Sequence, residues 1–163
     1  MNRYYILLNL LLCIAIMGCG SAPQRPEGFP PLYAVELTIT QEGTPLAEAS
    51  VTFHPMDSSQ KWSSGGRTDE KGIVKIVTHG QFQGVAKGKY KITVDKLAYE
   101  PPDNKALSPS GFPRYPDKQF ALVEAVYRHK ELTTLEIDVQ GKTQQTIDLG
   151  KPVRVLIPDS AGV

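Results

Sequence analysis

Few side chains in this chain have the type and spacing to do chemistry. His54, His79 and His129 stand in three separate segments. None lies in the H-x-H or H-E-x-x-H spacing that puts two imidazole nitrogens on one metal ion. They read as turn or surface residues, and no metal or other cofactor is expected. Asp57-Ser58-Ser59 and Asp69-Glu70 lack the twelve-residue loop of alternating oxygens that holds calcium, so they read as turn formers. Gly65-Gly66 is not followed by the Gly-Lys-Ser/Thr ending of a phosphate loop. Ser160 and the other serines have no context for a nucleophile. The expectation is a protein that is not an enzyme. Aromatic rings are the remaining chemical resource: Trp62 in the polar stretch 58–66, and Tyr99, Phe112 and Tyr115 in a proline-rich stretch. Such rings can stack on a sugar or pack on a partner protein, or they can cover apolar surface of their own domain.

The two cysteines, Cys13 and Cys19, lie near the N-terminus. Met1-Asn2-Arg3 is a short basic start, and residues 4–17 are apolar except for Asn9. That run is too short for an ordinary spanning helix and has the length of a secretion-signal core. It ends Ile16-Met17-Gly18-Cys19, which resembles the lipobox of bacterial lipoproteins: an aliphatic residue three before the cysteine, a small residue just before it, then the thiol. The resemblance implies a thioether from Cys19 to diacylglycerol, cleavage between Gly18 and Cys19, and further acylation of the freed amine. Two or three acyl chains anchor durably where one does not. Gly20, in place of Asp after the cysteine, resembles lipoproteins sent on to an outer membrane. Loss of residues 1–18 removes Arg3, Cys13 and no acid. It leaves 17 residues of each charge sign and no free thiol.

Residues 1–18 are thus expected to be a signal-peptide helix. Residues 19–32, with Pro23, Pro26, Pro30 and Pro31, are expected to be an extended tether. From Tyr33 the period is two. Val35, Leu37 and Ile39 alternate with polar residues, and Gly43-Thr44-Pro45 turns the chain into a strand from Ala49 to Phe53. Thr68-Asp69-Glu70-Lys71-Gly72 is a turn leading into a strand from Ile73 to Thr78. Gly88 opens another, with Tyr90, Ile92 and Val94 on one face. Leu135-Ile137-Val139 is expected opposite Ile147-Leu149 around Gly141, and Val153, Val155 and Ile157 follow Pro152. Residues 120–127 read as a short helix or irregular segment. These amount to about seven strands, an antiparallel β-sandwich over 33–158 with a short tail, 159–163. Residues 97–118 hold five prolines, which a central strand excludes, and read as an insert.

Composition supports one ordinary domain. The 18 Lys+Arg against 17 Asp+Glu give no electrostatic reason to bind nucleic acid.

The runs Gly43-Thr44-Pro45-Leu46, Ala49 to Phe53, Thr68 to Gly72 and Gly88 to Val94 together resemble the carboxypeptidase regulatory-like family of transthyretin-like sandwiches. Tyr127, Thr134, Leu135, Val139 and Gly141 resemble a late segment of small planctomycete-type lipoproteins. The resemblance implies an all-β, transthyretin-like or immunoglobulin-like fold and a non-catalytic accessory module. Enzymes of related fold are distinguished by features missing here: the Tyr-Arg-Gly-Ser end of the 5-hydroxyisourate hydrolases, and the H-x-H of the intradiol dioxygenases, although Tyr99, Tyr115, His79 and His129 supply the latter's residue types. The expected function is a membrane-anchored envelope lipoprotein with a binding or scaffolding domain whose partner is an envelope protein or glycan. The alternatives are a purely structural envelope component and, less favoured, an uncharacterised sandwich enzyme.

Overall fold

The computed structural model describes residues 24–100 and 118–158. The signal segment, Gly18, Cys19, Phe112, Tyr115 and the tail 159–163 lie outside the described residues. In chain order the strands are β1 (Leu32–Tyr33), β2 (Val35–Gln41), β3 (Thr44–Pro45), β4 (Ser50–Pro55), β5 (Ser64–Arg67), β6 (Ile73–Lys75), β7 (Val77–Thr78) and β8 (Phe82–Gln83). They continue with β9 (Val85–Ala86), β10 (Gly88–Asp95), β11 (Leu97–Glu100), β12 (Lys118–Ala121), β13 (Glu136–Val139), β14 (Thr143–Asp148) and β15 (Val155–Ile157). One helical turn, α1 (Ala125–Arg128), sits between β12 and β13.

Two sheets face each other. The larger runs β13-β10-β4-β5-β7-β8, and the smaller is built on β2, with β14 on one side, β6 on the other and β3 folded back at its end. The alternation read in the sequence explains the packing. Val51 and Phe53 on β4, Tyr90, Ile92 and Val94 on β10, and Ile137 and Val139 on β13 point into one core. Val35, Leu37 and Ile39 on β2, with Val74 and Ile147, meet them from the opposite wall. The molecule is an all-β sandwich.

Three details differ from the sequence expectation. First, β13 and β14 do not pair: β13 pairs with β10, whereas β14 pairs with β2, and in parallel. The chain crosses from one sheet to the other around Gly141. Alternating apolar residues look the same whether two strands are neighbours in one sheet or face each other across a core. Second, the single strand expected from Ile73 to Thr78 changes sheets. Its first half pairs with β2 and its second with β5. At the break, buried Ile76 donates its N–H to the Val35 carbonyl (3.0 Å) and accepts from Gly84 N–H (2.8 Å). Strands that turn a sandwich corner in this way are a known solution to closing two sheets.

Third, the ends of the 97–118 segment are strands. β11 and β12 pair antiparallel, and β15 joins them to form a three-stranded wing. Val155, in the alternating run Val153, Val155 and Ile157, is more than half exposed there, as is Leu156. Arg154 holds the wing together from one face: its guanidinium lies 4.2 Å from the Phe120 ring centroid and pairs with Glu100.

Close sheet contact also explains Gly65. A Cβ there would come within 2.6 Å of the Val51 carbonyl oxygen, a backbone atom that cannot step aside.

Candidate binding cleft

The site is built where β10 begins, from three segments distant in sequence. The first is the β4–β5 connection. Asp57 starts it with a tight turn, in which Ser59 N–H donates to Asp57 Oδ1 (2.9 Å) and Gln60 N–H to the Asp57 carbonyl (3.2 Å). The backbone and hydroxyl hydrogen bonds from Ser59 hold the Asp57 carboxyl below its ordinary pKa.

Gln60 then ties this loop to the start of β10. Its Nε2 donates to the Lys87 carbonyl (3.0 Å), and its Oε1 accepts from the Tyr90 hydroxyl (2.6 Å). That hydroxyl also lies 2.8 Å from the Ala86 carbonyl, so one proton serves two acceptors. Burial pushes the Tyr90 phenol above its ordinary pKa, opposed by the bond to Gln60. The loop can approach this closely because residue 88 is glycine. Its φ is +149°, and a Cβ would stand 2.8 Å from Gln60 Nε2.

The second segment is the end of the stretch expected to be tether. Leu32 and Tyr33 form β1 and pair with β9. Phe29 packs against Trp62 at 4.9 Å between ring centroids and against Phe82 at 4.7 Å. His79 meets Trp62 edge-on at 5.6 Å. Phe29, within the stretch expected to be tether, thus packs against the domain. Nothing in a proline-rich composition reveals that one aromatic residue within it has a cluster to join.

Between these segments lies an open cleft of about 640 Å³. Glu27, Pro30, Pro31 and Tyr33 line one side and Ser59, Gln60, Lys61 and Trp62 another, with Ala86 and Lys87 completing it. Buried Ser64 and Thr78 lie at its base, where their hydroxyls bond to each other (2.8 Å) and Thr78 donates to the Gly84 carbonyl (2.7 Å). Its volume is in the range of sites that take small molecules.

Among the described residues, Tyr99, His54 and His129 lie elsewhere. Tyr99 is 57% exposed on the wing, beyond the far end of β10. The eight residues of that strand, at about 3.3 Å each, separate the two places by ~25 Å. His54 bonds through Nε2 to Thr93 Oγ1 (2.9 Å) on the sheet. Its pKa is lowered by burial first and then by Lys130, with Glu131 acting in the opposite direction. His129 ends α1 in an extended conformation. Among the described residues, no three His, Cys, Asp or Glu side chains gather as a metal site. Trp62, a candidate from the sequence, lines the cleft; Tyr33, Gln60, Lys61 and Lys87 were not among the candidates, because their convergence depends on non-local pairing.

Comparison with known proteins adds little to this geometry. No protein-family model matches the chain, and no curated protein matches it by sequence. A solved structure of the major pilin subunit of Bacillus cereus aligns with 14% identity and a TM-score of 0.41, over 74% of this chain and 30% of the pilin. The chain thus spans under a third of that protein's length.

Proposed function

We propose that this is a lipid-anchored protein of the bacterial cell envelope whose sandwich is a non-enzymatic, carboxypeptidase regulatory-like binding module. The observation that carries the reading is the sequence Ile16-Met17-Gly18-Cys19 at the end of a basic and then apolar leader. The family resemblance gains support from where its motifs fall. Gly43 to Leu46 covers the end of the β2–β3 turn, β3 and the residue after it, Thr68 to Gly72 the β5–β6 turn, and Gly88 to Val94 most of the interior strand β10. A binding role is supported by the cleft, whose loop is held in place by the hydrogen bonds of Gln60.

The described chain enters the domain beside the cleft, where β1 pairs with β9 and Tyr33 lines the opening. The module therefore presents the cleft toward its tether and the wing away from it. Fractionation of cells expressing the full chain tests the reading. The natural sequence is expected in the membrane fraction, and Cys19→Ser is expected to shift most of the protein out of it. Equal membrane retention of both would overturn the anchor.

A further inference from the structure

We propose that the cleft beside Trp62 binds an anionic saccharide, such as a glycan bearing uronic acids, with a sugar ring against the aromatic surface and its carboxylate between Lys61 and Lys87. The inference deepens the binding-module reading and rests on it.

Three observations select this chemistry. Trp62 and Tyr33 both line the cleft, giving it aromatic surface against which the C–H face of a pyranose can pack. Lys61 and Lys87 are exposed at the same opening, and neither has an ion-pair partner among the described residues. Gln60 fixes their relation, since it is the chain neighbour of Lys61 and hydrogen-bonds the Lys87 carbonyl. Two unpaired ammonium groups on one preorganised frame complement a carboxylate.

The lining also holds a carboxylate of its own, Glu27, together with the Ser59 hydroxyl. A purely acidic ligand would gain nothing from Glu27. A sugar offers hydroxyl donors that a carboxylate accepts, so a polyol with one acidic group uses both signs of charge in the cleft. Ser64 and Thr78 contribute the rigid base, because their hydroxyls are already bonded within the domain.

The chain contains one tryptophan, so intrinsic tryptophan emission reports on this cleft alone. The detergent-solubilised full chain is titrated with a glucuronic-acid oligosaccharide, a neutral cello-oligosaccharide of equal length and a tetraglutamate peptide. The acidic sugar is expected to change Trp62 emission saturably and to bind at least tenfold more tightly than either control. Binding should weaken with added salt. Lys61→Gln with Lys87→Gln is expected to lower that affinity at least tenfold while leaving the far-ultraviolet circular dichroism and melting temperature unchanged, since both side chains are exposed.

Equal binding of the neutral sugar would overturn the role of the lysines, and equal binding of the peptide would overturn the saccharide class. Absence of any response to the acidic sugar would overturn the proposal outright. Membrane fractionation of the same cells before detergent is added separates these failures from failure of the anchor.

Discussion

At the scale of single residues, the sandwich is closed by polar side chains placed at strand ends. Asp148, the last residue of β14, is the clearest. Its Oδ2 accepts from Thr40 Oγ1 (2.7 Å) and from Gly43 N–H (2.8 Å), and its Oδ1 from Gly150 N–H (2.8 Å). These donors, led by the Thr40 hydroxyl, depress its pKa from 3.8 to about 2. A carboxyl depressed on folding adds stability that is complete above its unfolded value and is lost as pH falls through the folded one. Asp148→Asn is therefore expected to lower the melting temperature by a few degrees at pH 6–7. The difference from the natural chain should shrink between about pH 4 and pH 2. Melting curves across that range check this, and a difference independent of pH would remove the carboxylate from the account. The site is exposed, which keeps the effect modest. Asp148 was not legible in the sequence, because its partners on β2 and the following turn are more than a hundred positions away.

At the scale of elements, the sequence revealed strands more readily than their partners. β2, β4 and β10 were readable because one face of each is buried and the side-chain period is two. The Thr68–Gly72 turn was readable because its chemistry is local. Asp69 Oδ1 accepts from the N–H groups of Lys71 (2.9 Å) and Ile73 (2.8 Å). The parallel pairing of β14 with β2 was not readable, nor was the sheet switch at Ile76, since neither leaves a mark on alternation. The segment before β1 belongs to the same class of hidden contact. Phe29 is expected to hold it through two ring contacts worth about 0.5–1.5 kcal/mol each. Phe29→Ala should cost about 1–3 kcal/mol in chemical denaturation. It should also red-shift the emission of Trp62, as water reaches the indole. An unshifted spectrum would mean that Phe29 does not shield Trp62.

At the scale of the whole molecule, chemistry concentrates at one end. Phe29, Trp62, His79 and Phe82 form an aromatic cluster there, the cleft opens beside it, and the chain enters through β1. Docking of Phe29 shortens the stretch proposed as a tether. From Cys19 to Pro26 only seven peptide steps remain, about 25 Å when fully extended. A lipidated Cys19 would hold the cleft close to the bilayer and leave Tyr99, Val155 and Leu156 facing away from it.

That arrangement depends on the processing of the N-terminus, which one measurement reads directly: the intact mass of the protein extracted from membranes. The account predicts a polypeptide beginning at Cys19, heavier than residues 19–163 by a diacylglyceryl group and any additional acyl chain. A mass equal to the full 163 residues, without lipid, would contradict it.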